Sequence, residues 1–166
     1  YLPDGTLDNS FGGGDGLLSL SIGRRSDAAY SVALQSDGKI LVGGVAYDRN
    51  DNGDFSLIRL LSDGTLDSTF GTAGVTLTGF GQDDVIRKVV VQADGKILVV
   101  GTTKDINSAA DIAVARYNTD GSLDTGFANQ GRLTLDLSVG EAITNDIATG
   151  LALQGDKIVI SAYAEG

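Results

Sequence analysis

Aspartate is the one reactive side chain that this sequence offers in quantity, so its chemistry must be sought among carboxylates. All but two of the 22 acidic residues are Asp, the exceptions being Glu141 and Glu165, and there is no His and no Cys. A Ser nucleophile of the triad type needs an adjacent base, usually His. Metal hydrolases built on imidazole, haem proteins and thiolate sites need His or Cys. Those classes are excluded. Paired carboxylates, as in glycoside hydrolysis, remain, and so does a hard cation held by oxygen ligands.

The paired-carboxylate reading finds little support in the spacing. Asp8, Asp67 and Asp124 each stand in an L-D-x-x-F turn, and a group present once per repeat holds the repeat together, because catalysis needs one site. Such an Asp accepts backbone N–H groups of the residues that follow it and positions Phe11, Phe70 and Phe127. The non-repeated candidates Glu141 and Asp146 lie in "SVGEAITND" without a recognisable partner.

Calcium has a sharper signature. In "DRNDNGD", Asp48, Asn50 and Asn52 occupy the first, third and fifth positions of a D-x-[DN]-x-[DN]-G loop, with Gly53 at the turn and Asp54 placed to offer its carbonyl. The twelfth position is Arg59 rather than a bidentate Glu, and the same residue types build ordinary hairpin loops. Asp48, Asn50, Asn52 and Asp54 are the candidate calcium ligands. The loops "RRSD" (24–27) and "GQDD" (81–84) correspond to one another and read as solvated. Tyr30, Tyr47 and Tyr163 are candidates for a carbohydrate surface, with packing as the plainer role. Arg59 and Arg116 sit inside apolar strands, where a charge needs a partner; the expected one is the Asp of an L-D-x-x-F turn.

These residues are positioned by a threefold repeat. "PDGTLDNSF" (3–11) returns as "SDGTLDSTF" (62–70) and "TDGSLDTGF" (119–127); "ALQSDGKILVGG" (33–44) returns as "VVQADGKILVVG" (90–101) and, shortened, as "ALQGDKIVIS" (152–161). "DFSLIRLL" (54–61) matches "DIAVARYN" (111–118). One unit reads as a turn, a short strand, a hairpin built on D-G-K and a strand leading to the next turn; in the second unit the strands are "GVTLTGF", "IRKVVVQ", "KILVVGT" and "DIAVARY". Runs such as "KILVV" and "KVVV" are apolar at successive positions, so both faces of these strands must be covered. The short, β-branched runs bounded by Gly or Asp exclude helix. Gly38 and Gly95 close three-residue loops in the left-handed conformation, whereas Gln154 and Lys157 enclose a two-residue loop with Gly155 first.

At these motifs the chain resembles the delta-60 repeat family, a β-propeller repeat of large bacterial proteins, many of them secreted or surface-attached. The matching pieces are the D-G-[ST]-L-D-x-x-F turn, the L-Q-x-D-G-K-I-L-V hairpin and the D-F-x-L-x-R-[LY] strand. The resemblance implies a propeller-like fold and no catalytic residues. It also makes the lack of Trp informative, since propellers that bind quinone cofactors stack them on Trp.

The expectation is therefore an all-β, β-propeller-like fold of about three four-stranded blades of ~57 residues, with units at 1–60, 61–117 and 118–166, the last incomplete. Three blades are fewer than the ~4–8 that close a ring, so residues 1–166 are expected to be a propeller segment completed by further repeats of the same chain or by copies of itself. Net charge is −10 without a basic cluster, which argues against nucleic acid. No run approaches the ~20 apolar residues of a membrane span. The functional expectation is a non-enzymatic scaffold or interaction module of a larger secreted or cell-surface bacterial protein, without a cofactor or with calcium, binding protein or carbohydrate at a surface. The alternatives are a carbohydrate-active enzyme with paired carboxylates and a calcium-stabilised adhesive module.

Overall fold

The computed structural model describes residues 1–104, 109–137 and 144–165, and every regular element among them is a β-strand. The first sheet is four-stranded and antiparallel, in the order β1 (Ala28–Leu34), β2 (Ile40–Tyr47), β3 (Gly53–Leu60) and β4 (Val75–Thr78). The second repeats it with β5 (Val85–Val91), β6 (Ile97–Lys104), β7 (Ala110–Tyr117) and β8 (Arg132–Leu135). A hairpin of β9 (Asn145–Gln154) and β10 (Lys157–Glu165) follows. The all-β, blade-like reading holds, and the described blades do not close into a ring.

Sequence repeat and sheet are out of phase. The strand that opens the second unit, Val75–Thr78, is hydrogen-bonded as the last strand of the first sheet, with Phe55 opposite Thr78 and Ile58 opposite Val75. The turn before it folds back on the third strand through a Leu60–Leu66 bridge. The D-G-[ST]-L-D-x-x-F turns at 62–70 and 119–127 thus lie inside a sheet, between its third and fourth strands.

Both hairpin types form as their glycines require. Gly38 and Gly95 have φ of 83° and 82°, and Gly155 has 58°. A Cβ at φ > 0 is disfavoured, so Gly is the residue these corners take.

Successive apolar residues bury both faces of the second sheet. Val89, Ile97, Val99, Ala115 and Tyr117 pack against Leu41, Phe55, Leu57 and Phe70 of the first sheet and its turn. Leu98, Val100, Ile112 and Val114 pack against Leu151, Leu153, Ile158 and Ile160 of the hairpin. Each such side chain taken fully from water contributes about 1.5–3 kcal/mol. The Tyr117 hydroxyl enters this layer only because it donates to Thr78 Oγ1 at 2.8 Å. The inner strands touch directly, Val89 N–H donating to Ser31 Oγ at 3.1 Å.

Candidate functional site

The recurrent charges are spent on one another. Arg59 Nε donates to Asp67 Oδ2 at 2.8 Å, and Lys39 Nζ approaches the same oxygen at 3.3 Å. Arg116 and Lys96 meet Asp124 Oδ2 at 2.7 and 2.9 Å. Each guanidinium also lies over the turn's Phe, Arg59 over Phe70 at 4.5 Å and Arg116 over Phe127 at 4.7 Å. The other carboxylate oxygen closes the turn, Asp67 Oδ1 accepting from the Thr69 N–H and hydroxyl. The Thr69 hydroxyl and N–H, with Lys39 and Arg59, hold the Asp67 carboxyl well below the usual range. Lys96 is the main cause for Asp124, which shifts the same way. These aspartates are pinned as anions among hydrogen bonds, the opposite of a general acid.

Neighbouring turns stack along the molecule. Gly71 N–H donates to the Asp120 carbonyl at 2.8 Å, as Gly12 N–H does to that of Asp63 at 3.0 Å. Gly121, at φ 87°, lies so close to Phe70 that a Cβ there would be 2.9 Å from the ring. Arg59 Nη1 also donates to the Thr119 carbonyl of the next turn.

A second set of aspartates went unrecognised in the sequence. Asp84 is fully buried and Asp27 partly so, although both loops read as solvated. Asp84 accepts from the N–H groups of Phe80 and Gly81 at 2.5 and 3.1 Å, and Asp27 from those of Ile22 and Gly23 at 2.6 and 2.9 Å. Asp146, also fully buried, accepts from Leu137 N–H and from Thr144 Oγ1. Asp84 and Asp146 anchor the crossing from one sheet to the next, and Asp27 anchors the entry to the first sheet. The signal was their spacing: they stand 12, 12 and 11 positions before Lys39, Lys96 and Lys157.

The candidate calcium loop is closed by its own backbone. Asp48 Oδ1 accepts from the N–H groups of Asn50 and Asn52 at 2.7 and 3.0 Å, and Asp51 turns the chain at φ 62°. Asp48, Asn50 and Asp54 line one hollow of about 390 Å³; Asn52 hydrogen-bonds back to Asp48. Burial, followed by the charges of Asp84 and Asp48, raises the Asp54 carboxyl. In the second sheet the position of Asp54 is taken by Asp111, which gathers with Asp136 and Asp146, their oxygens within 4.8 Å of one another. Those three carboxylates are the described group that is placed to hold a metal. Glu141 lies outside the described residues. Tyr30 and Tyr163 are exposed on different blades, and Arg87 covers the Tyr30 ring at 4.9 Å.

What the described residues leave open is the far face of the first sheet. Val32 and Leu34 are 67% and 72% exposed. With Leu17–Leu20, Ile40, Val42 and Ile58, Val32 borders an apolar hollow of about 470 Å³. Among the described residues no helix is long and apolar enough to cross a membrane.

Residues 35–70 and 92–127 each match a family model described as a domain of unknown function (DUF5122) beta-propeller. No curated protein matches the chain.

Proposed function

We propose that this chain, which contains two repeats of that β-propeller domain and is consistent with a bacterial repeat of the delta-60 kind, acts as a non-enzymatic scaffold or interaction module of a larger secreted or cell-surface protein. The observation that carries the reading is how its groups are allocated. The recurrent Arg, Lys and Asp side chains neutralise one another inside the turns, while the accessible feature is an apolar sheet face, the kind of surface that marks a protein contact. The partner class is therefore protein.

The test has two arms. A hydrophobic dye binds the wild-type protein, and the double variant Val32→Asp/Leu34→Asp loses that binding. A panel of chromogenic glycosides and soluble polysaccharides is left unhydrolysed. Hydrolysis abolished by Asp54→Asn would overturn the scaffold reading in favour of a paired-carboxylate enzyme.

Calcium at Asp48, Asn50, Asn52 and Asp54 is a second proposal, favoured by the raised Asp54 carboxyl. Negative charge there is uncompensated, and a divalent cation would relieve it. Isothermal titration with calcium chloride tests it; no heat of binding, together with a melting midpoint indifferent to chelator, ends the idea.

A further inference from the structure

The first strand of each sheet is an edge strand and carries one residue too many. Tyr30 in β1 is passed over in the pairing, Ala29 and Ser31 lying opposite Gly44 and Gly43. Arg87 in β5 is passed over between Ile86 and Lys88, and Thr149 in β9 between Ala148 and Gly150. Glycine makes the first two bulges possible: a Cβ on Gly44 or Gly101 would stand 1.9 or 1.8 Å from the carbonyl oxygen of Ala28 or Val85. A bulge re-aims the side chain of its extra residue and is common beside functional sites. Here the repeat keeps the backbone and changes the side chain, from tyrosine to arginine to threonine. That is the reverse of the L-D-x-x-F aspartates, which recur because they hold the turns. A position fixed in geometry and varied in chemistry is where a repetitive fold can carry a single site.

Arg87 is the member of this row whose charge the protein leaves uncompensated. Arg59 and Arg116 are paired with Asp67 and Asp124, Arg132 donates to the Gly79 carbonyl at 2.8 Å, and Arg25 meets Asp51 at 3.0 Å. Arg87 is half-buried and its Nε is shut off from solvent without an acceptor. Among the described residues its guanidinium makes no hydrogen bond or ion pair; it lies over the ring of Tyr30, 4.9 Å from the centroid. Stacking orients the cation and leaves its in-plane N–H groups without a partner. A partly desolvated guanidinium that lacks an anion is costly to keep and correspondingly strong towards one that arrives.

We infer that Arg87, oriented by Tyr30, is a receptor for one carboxylate of a protein partner, an acidic side chain or a chain terminus, which accepts two N–H groups from the guanidinium. Charge selects this anion. One guanidinium matches one monoanion in a bidentate pair. Asp83 and Asp51 act, with Tyr30 and Arg87, on the neighbouring Tyr47 hydroxyl, and their negative charge disfavours a phosphate dianion. The site lies between the first and second four-stranded sheets and uses the edge strands of both. It gives a chemistry to the partner of the interaction module proposed above and rests on that reading.

The Nε–H resonances of the arginines in the full 166-residue chain report on the site by NMR. The Arg87 signal is the one that Arg87→Lys removes. Titration with sodium acetate at constant ionic strength is expected to move it along a saturating curve, while the signals of the exposed Arg24 and Arg49 drift without saturating. Tyr30→Leu frees the guanidinium and weakens acetate about fivefold. N-acetylglutamic acid α-amide, which carries a protein-like carboxylate, binds at least as tightly as glucuronate. Four results would each overturn the inference: an Arg87 signal that drifts like those of Arg24 and Arg49, saturation by inorganic phosphate at lower concentration than by acetate, tighter binding of glucuronate than of the capped glutamate, or unchanged affinity in Tyr30→Leu. A fifth is internal: if Asp83→Asn shifted the Arg87 signal in the absence of any ligand, Asp83 would already be its anion. Each of these leaves the scaffold reading standing, since that reading fails on glycoside hydrolysis instead.

Discussion

Val32 and Val89 hold the same place in the first and second sheets, yet one is 67% exposed and the other 6%. Their strands pair in the same register, with the bulge at the same place, so the difference lies in what stands beside them. Val89 faces Leu41, Phe55 and Leu57, and Val32 faces the open hollow. Blade identity in this molecule is local, whereas burial belongs to the pair of blades. The comparison breaks most sharply under a buried charge. Val89→Asp places a carboxylate without a partner in the inter-sheet layer and costs at least about 5 kcal/mol, enough to unfold a domain of ordinary stability. Val32→Asp changes urea stability by less than about 0.5 kcal/mol. Similar losses in the two variants would show that Val32 is covered in solution.

The turns give the second comparison. Removing the carboxylate partner of a buried guanidinium typically costs about 3–5 kcal/mol, because an uncompensated charge stays behind. Asp67→Ala strands Arg59, which is 5% exposed, and falls in that range. Asp8→Ala strands no buried cation, removes only the exposed hydrogen bonds from Ser10, and costs about 1 kcal/mol or less. If Asp67→Ala were as mild as Asp8→Ala, then Arg59 would be solvated rather than held, and the network would not organise the turn.

Glycine separates backbone strain from stacking. Gly5 and Gly121 have nearly the same φ, 86° and 87°, so alanine is strained at both. Beyond Gly5 there is open space, whereas the Gly121 Cβ would meet the Phe70 ring and the Thr76 hydroxyl at 2.9 Å. Gly5→Ala is expected to cost about 1 kcal/mol and Gly121→Ala about 2 kcal/mol or more by chemical denaturation. Equal costs would mean that the turns do not stack in solution.

Turns, hairpins and the arginine–aspartate pairs were legible in the sequence because each is local and repeated. L-D-x-x-F and D-G-K fix their own geometry within a few residues, and a charge inside "SLIRL" demands a partner wherever the strand goes. The phase of the sheets was not legible, since a periodic sequence has no origin and Val75–Thr78 can be counted with either unit. The buried anchors Asp27, Asp84 and Asp146 were missed for a related reason. The loops they close differ in length and composition, so the constant feature is a distance to the hairpin lysine rather than a motif. The uncovered face was invisible too: Val32 and Val89 read alike, and only the neighbouring sheet tells them apart.

Two carboxylates in the first blade bring the comparison down to the titration of a single group. Asp67 is held low, chiefly by the Thr69 hydroxyl, so the stability it supplies is complete above the ordinary Asp pKa of about 4 and drains away as pH falls towards its lower folded value. Asp54 is raised by burial and by Asp84 and Asp48, so its folded form takes up a proton before the unfolded chain does. Lowering the pH from 7 towards about 4 therefore increases stability through Asp54, and a further decrease removes it through Asp67. The melting midpoint should pass through a maximum on the acidic side of neutrality. Asp54→Asn flattens the limb between neutrality and that maximum and leaves the acid limb in place. Calcium sharpens the test: bound at Asp48 and Asp54, it stabilises the ionised form, raises the wild-type midpoint at pH 7 and does less for Asp54→Asn. If the Asn variant kept the full neutral limb, the excess negative charge would sit elsewhere, and the cation would have no reason to prefer this end of the blade.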